Sequence, residues 1–349
     1  MPTLDQLDVH ALRQVIATFR DTVRNHSSEL NRLNVYPVPD GDTGTNMSRT
    51  LDAVVTEMEG VDADDLDATC DAISHGSLMG ARGNSGVILS QILRGVASTL
   101  KDHAGGAGRK VADALSAAST GAYQAVMKPI EGTILTVVRE SAEAAKVASA
   151  SDESSLVEVL RAARDAGREA LANTPELLPV LKDAGVVDAG GAGYLLFLDS
   201  ALHVVDGEEL PEPDDDGPAL ELVENVAMRH SDVEGELDVS EQRYEVMYFL
   251  DLVDDRIGDF RQRWAEIGDS IVVVGGDGLW NCHIHTNEIG DAIEAAIELD
   301  GRPRKIRVTD LFEEVAEEHT HRVEEMMGEH VPARAGAGLP PVTTAVVAV

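Results

Sequence analysis

The sequence predicts a multidomain chain, all-α first and α+β second, and three observations carry that prediction. Apolar residues recur at helical spacing from residue 7 to about 206, with no convincing alternating strand among them. A proline- and acid-rich break, Pro211-Glu-Pro-Asp-Asp-Asp-Gly-Pro218, follows and reads as an exposed connector. From Arg243 the pattern changes to short strand-like runs that alternate with helical ones. At 349 residues the chain is also too long for one typical core. The expected divisions are a helical domain over 1–206, an acidic linker over 207–241 and an α+β domain over 242–330. Residues 331–349 read as a second linker and the start of a further, truncated domain.

The first predicted helix covers 7–33, with Leu12, Val15, Ile16, Phe19 and Val23 on one face. Helices over 48–58, 63–79, 85–100, 111–127, 134–148, 156–171 and 194–205 continue the series. Together they suggest one domain of about eight helices, each burying an apolar stripe on its neighbours. In the second part, strands over 244–252, 270–275, 279–286 and 305–309 are interleaved with helices over 255–267 and 291–299. Gly275-Gly-Asp-Gly278 is a hairpin signal between the middle strands. The order βαββαβ is that of a split-βαβ, ferredoxin-like unit. An amphipathic helix over 311–327 places His319 and His321 toward solvent, and Val342–Val349 starts what reads as a buried strand.

The formal net charge is −35, which argues against nonspecific binding to nucleic acid or to an anionic membrane. Aromatics make up only 3 %, too few for a base-stacking platform. Cys70 and Cys282 form no disulfide framework, and a reducing cytosol suits them. The N-terminus lacks the basic and apolar regions of a signal peptide, and no apolar run reaches the length of a bilayer span.

The stretch Asn34-Val-Tyr-Pro-Val-Pro-Asp-Gly-Asp-Thr-Gly-Thr-Asn-Met47 organises the first domain. Two prolines stiffen its approach, and Asp40-Gly41-Asp42 sets two carboxylates around a glycine that lets the chain turn sharply. Hard oxygen ligands on a loop before a helix suit Mg²⁺ bound together with substrate phosphates. The N–H groups of Gly44 to Met47 would then face those phosphates. An Asp-Gly turn with a hydroxyl cap is the plainer reading of the same residues. Gly80-Ala-Arg-Gly-Asn-Ser-Gly86 and Asp188-Ala-Gly-Gly-Ala-Gly193 are small-residue loops that each open a helix. Either one binds an anion at the helix N-terminus or packs helices closely through glycine, with Asn84 or Ser85 as a cap. Neither ends in the Gly-Lys-Ser/Thr of a Walker A loop. Lys128-Pro-Ile-Glu-Gly-Thr133 is a third break between helices. In the second domain, His283-Ile-His285-Thr-Asn places two imidazoles on one face of a strand, near enough for one metal or one anion. They read equally as two histidines on a partly exposed sheet face, and Cys282 points the other way.

In order and spacing, these four segments resemble the DhaL (DAK2) domain, the ATP-binding domain of dihydroxyacetone kinases. The chain is more similar still to the kinase component of bacterial fatty acid kinases, strongly over about 5–205 and moderately over 240–310. The resemblance implies an eight-helix barrel with ATP at one end and Mg²⁺ on Asp40 and Asp42, with Asn34 as a further ligand. It implies that Thr43, Gly44, Thr45, Asn46, Asn84 and Ser85 meet phosphates. Thr133, Ile134, Asp188, Ala189 and Gly190 would lie near the nucleoside. Related kinases carry the His-x-His-Thr-Asn string, and many add a cysteine on the first strand to form a zinc site. Glu245 stands where that cysteine would be, so Glu245, His283 and His285 are the possible Zn²⁺ ligands. No catalytic side chain is assigned, and His283, His285 and Arg82 are the candidates. The implied activity is ATP-dependent phosphorylation of a fatty acid carboxylate. A separate fatty-acid-binding protein of the DegV type would present the acid, and the full-length kinase would be a homodimer. A kinase for dihydroxyacetone or a similar small polyol, and a nucleotide-sensing regulator without turnover, are the rival readings.

Overall fold

The computed structural model describes residues 3–102, 106–151, 154–214 and 242–313. The expected helix beyond 313 and the strand at 342–349 lie outside the described residues. The chain divides into two compact units, one helical and one built on a sheet.

The helical unit runs α1 (Val9–Asn25), α2 (Ser27–Arg32), α3 (Thr43–Glu59), α4 (Leu66–Gly80), α5 (Gly83–Asp102) and α6 (Ala107–Ala125). It continues with α7 (Ile134–Ala148), α8 (Leu156–Ala172), α9 (Thr174–Leu177), α10 (Pro179–Ala184) and α11 (Ala189–Asp206). Local chemistry fixes many of the ends. Asp8 and Asp65 accept N–H bonds as caps of α1 and α4, and Ser155 with Glu158 forms a capping box on α8. Gly185 and Gly207 end α10 and α11 in the left-handed conformation that glycine adopts without a steric cost. The eight long helices close a ring. Helix α1 packs on α3, each later long helix packs on the next through α8, and α11 joins α8 back to α1. Phe19 of α1 meets Phe197 of α11 edge-on at 5.5 Å inside the ring, and both are buried.

The ring matches the eight-helix barrel expected, with two local differences. The segment 7–33 breaks at His26, whose backbone leaves the helical region. Helices α3, α5 and α11 start earlier than the glycine-rich sequence suggests. Their glycines sit inside the first turns because another chain segment lies against them. A Cβ on Gly44 would fall 2.3 Å from the Ser27 carbonyl oxygen, and one on Gly191 2.7 Å from Val137. These glycines serve close approach rather than loop flexibility.

The second unit runs β1 (Tyr244–Asp251), α12 (Ile257–Trp264), β2 (Gly268–Gly276), β3 (Leu279–Thr286), α13 (Ile289–Ile297) and β4 (Arg302–Asp310). The sheet order is β2-β3-β1-β4, with every neighbouring pair antiparallel. This is the expected split-βαβ arrangement. Both helices cover one face of the sheet. The Tyr248 hydroxyl and the Trp264 indole N–H donate to the same Ala292 carbonyl, at 2.7 and 2.9 Å. Alternation along β3 and β1 puts His283, His285 and Glu245 on the other face. Among the described residues, no helix is long and apolar enough to cross a membrane.

Candidate functional site

Successive long helices of a closed ring alternate in direction, so α3, α5, α7 and α11 bring their N-termini to one end. The contacts bear this out. A Cβ on Gly83 would lie 2.1 Å from the Asn46 side-chain nitrogen, joining the starts of α5 and α3. One on Gly193 would lie 2.6 Å from the Met47 sulfur, joining α11 to α3, and one on Gly190 3.2 Å from the Ile134 Cβ, joining α11 to α7. Segments about 150 residues apart in sequence thus meet at one place. Four helix N-termini contribute on the order of two positive charges there, in a strongly acidic chain.

The acidic loop is held from outside. Gly41 has φ of +66°, which favours glycine. Asp42 precedes α3 without capping it, and its Oδ2 instead accepts from the Asn46 amide at 2.5 Å. The cap comes from Asn31 on α2 and from Asn34 just beyond it. Asn31 Oδ1 accepts the N–H of Gly44 at 2.8 Å and of Thr45 at 3.2 Å, and its amide donates to Thr45 Oγ1 at 3.0 Å. Asn34 is buried, and its Oδ1 accepts from the Thr43 N–H at 3.2 Å and from the Thr43 hydroxyl. The first N–H groups of α3 are therefore engaged with asparagines instead of facing an open space. Asn34, expected as a metal ligand, is here the residue that fixes Thr43. Asp40 and Asp42 are both half-buried.

Around this loop, the α4–α5 elbow donates the Arg82 N–H to Thr50 Oγ1 at 3.3 Å, and the Arg82 guanidinium donates to the Ala81 carbonyl. Asn84 and Ser85 are half-buried, and the buried Asn84 Oδ1 has no hydrogen-bond partner in the protein. A buried amide oxygen left this way is an acceptor suited to a ligand. Thr133 starts α7 and donates to the Ile130 carbonyl at 2.8 Å. Its loop is shored up by Glu131, which accepts from Thr136, Tyr123 and Arg139 at 2.6, 3.0 and 2.6 Å. Asp188 caps α11 through the Gly191 N–H at 2.6 Å and also accepts the Ile134 N–H, so it ties the starts of α11 and α7 together. Complete burial pushes its carboxyl up to about 6 despite those two donors. Ala189 is buried beside it.

The second cluster lies on the open face of the sheet. Glu245 pairs with His285 across β1 and β3, and His283 Nδ1 stands 3.5 Å from a Glu245 oxygen. One ligand atom from each of the three residues falls within 4.8 Å of the others. Both imidazoles are buried, and both nitrogens of His283 and Nδ1 of His285 lack hydrogen-bond partners. Burial holds both rings far toward the neutral form, with His285 brought down to about 4 and His283 lowered further by its neighbour. Neutral imidazoles with open lone pairs beside a carboxylate are a donor set that zinc accepts. Cys282 is buried on the helix-covered face beside Tyr248 and Arg261, as the alternation of β3 requires.

Sequence reasoning did not find Asn31, which reads as a mid-helix polar residue. Its signal is the spacing Asn31-x-x-Asn34 just before the loop, one helical turn apart. Nor did it find the Tyr123–Glu131–Arg139 network, whose members are too common on helix surfaces to stand out.

The DAK2 domain family matches residues 37–203, and the family of FakA-like middle domains of fatty acid kinases matches 241–318. Protein YloV of Bacillus subtilis is 36 % identical over 322 residues, covering 90 % of this chain and 56 % of that protein. An uncharacterized protein of Staphylococcus saprophyticus is 33 % identical over 320 residues, covering 89 % of this chain and 56 % of its own length. One of Staphylococcus epidermidis is 38 % identical over 278 residues, covering 76 % and 49 %. The chain spans about half the length of the curated relatives it matches. The crystal structure of the dihydroxyacetone kinase from C. freundii in complex with AMP-PNP and Mg²⁺ superposes with a TM-score of 0.41 at 16 % identity. That overlap covers 60 % of this chain and 35 % of the other, too loose a match to add weight. With both of its domains matched in sequence order, the chain belongs with the proteins that join a DAK2 domain to a FakA-like middle domain.

Proposed function

We propose that the chain is the ATP- and Mg²⁺-dependent kinase unit of a fatty acid kinase. It would phosphorylate the carboxylate of a fatty acid presented by a separate fatty-acid-binding protein of the DegV type. The observation that carries the nucleotide part is the meeting of four helix N-termini at the acidic loop, with a buried Asn84 oxygen awaiting a partner. The two domain matches support the kinase class, and the middle-domain match supports the fatty acid.

Asp40 and Asp42 would hold Mg²⁺, which when bound offsets phosphate charge. Asn46 steadies Asp42, and the elbow at Gly83 presses Asn46 in place. The Asp188 tie would set the nucleoside end by fixing α7 against α11. An acyl carboxylate is already ionised near pH 7, so its oxygen attacks the γ-phosphorus without a general base. The bond to the β,γ-bridging oxygen breaks, and the products are acyl phosphate and ADP. Glu245, His283 and His285 would hold one zinc ion, a structural support within the sheet.

The test is turnover of ATP by the purified chain with Mg²⁺ and three acceptors in turn: lipid-loaded binding protein, dihydroxyacetone, and none. Acyl phosphate formed only with the loaded binding protein supports the reading. Phosphorylation of dihydroxyacetone instead would establish the small-polyol kinase. ATP binding without transfer to either acceptor would favour the regulator.

A further inference from the structure

Helix α2 has only six residues, yet it is fastened on two sides. Toward the acidic loop, Asn31 takes the Gly44 and Thr45 N–H groups and donates to the Thr45 hydroxyl. Gly44 lies so close to the Ser27 carbonyl that no larger residue fits without a shift of the backbone. On the other side, Glu29 Oε2 accepts from His26 at 2.7 Å and from the Asp214 N–H at 3.2 Å. His26 Nε2 is 3.1 Å from the Pro211 carbonyl, and Arg32 donates to the Asp214 carbonyl. Helix α2 and the first turn of α3 are thus one hydrogen-bonded piece, itself strapped down by residues 211–214.

We propose that Asn31 is a positioning residue for the nucleotide, a role that rests on the kinase reading above. It fixes the first turn of α3 and so sets where Asp42 and Asn46 stand. Because it occupies the N–H groups of Gly44 and Thr45, those groups are closed to phosphate. Affinity for Mg·ATP then depends on Asn31 although it touches neither the metal nor the phosphates. Removing it frees two donors, which would strengthen phosphate binding if donors were what the site lacked. The geometry predicts the reverse, because the turn that carries Asp42 loses its anchor.

The experiment measures two quantities on wild type, Asn31→Ala and Asn31→Asp. One is amide hydrogen exchange of Gly44 and Thr45 without nucleotide. The other is the calorimetric affinity for Mg·ATP, with thermal melting as a check on the fold. In Asn31→Ala the two amides should exchange about tenfold faster and the affinity should fall about five- to tenfold, as for loss of a helix cap. Melting should move by only a few degrees. Asn31→Asp keeps the acceptor and should keep the amide protection. Unchanged exchange in Asn31→Ala would overturn the assignment, as would Mg·ATP affinity equal to or tighter than wild type. A folded wild type that binds no Mg·ATP would overturn the kinase reading itself, and that failure is distinct because it needs no variant.

Discussion

The nucleotide end of the helical domain and the histidine face of the sheet are both polar clusters in buried surroundings, but they are built in opposite ways. At the helical end nearly every polar group has a protein partner. Asn31 and Asn34 cap α3, Asn46 holds Asp42, and Asp188 joins α7 to α11. Shape is set before any ligand arrives, as an arrangement that works by positioning requires. On the sheet, His283 has no hydrogen-bond partner for either nitrogen, though it lies wholly inside the protein. A buried polar atom left so costs about 1–3 kcal/mol. The first region shows what a preorganised site looks like, and the second shows what a site looks like when its own ligand is the missing partner.

The largest test of this contrast is at the acidic loop. Asp40→Ala and Asp42→Ala should each abolish Mg²⁺-dependent phosphoryl transfer, a loss of at least about 100-fold, while circular dichroism stays helical. Wild-type turnover in either would remove the metal assignment. Next comes the sheet. Zinc measured by mass spectrometry should bind one per chain. At about 100 to 1,000 times its Kd it should stabilise the fold by about 3–4 kcal/mol, an effect lost in His283→Ala. If Glu245, His283 and His285 bind no divalent ion under any loading, the sheet cluster is a neutral buried pair and the contrast fails.

A smaller effect sharpens the account of Asp188. Its folded pKa of about 6 stands above the ordinary 3.8, so its contribution to stability is full below pH 3.8 and is lost as pH rises through 6. The stability of wild type relative to Asp188→Asn should therefore decline by up to about 3 kcal/mol across that window, read from denaturant melts at several pH values. A difference that does not change with pH would mean that the carboxyl is not buried as described. Smallest are two glycine substitutions. Gly44→Ala meets the Ser27 backbone and should cost about 1–3 kcal/mol, whereas Gly193→Ala meets the flexible Met47 thioether and should cost less.

Much of this was legible in the sequence, and the exceptions have a common cause. The βαββαβ order follows from alternation and a glycine-rich turn, both local signals. The eight long helices follow from apolar spacing. What stayed hidden was where the glycine segments belong, because Gly44, Gly191 and Gly193 serve contacts with residues distant in sequence. The same holds for Asn31, whose partners lie 13 and 14 residues ahead across two prolines. The pair His283 and His285 was visible, but its complete burial was not, since that depends on what covers the sheet.

The central claim is that the loop from Asn34 to Met47 binds Mg·ATP, and calorimetry with and without Mg²⁺ on wild type and Asp42→Ala tests it most directly. The account predicts binding that requires Mg²⁺ and weakens sharply in the variant. Binding of equal strength in the variant, or none by a folded wild type, would contradict it.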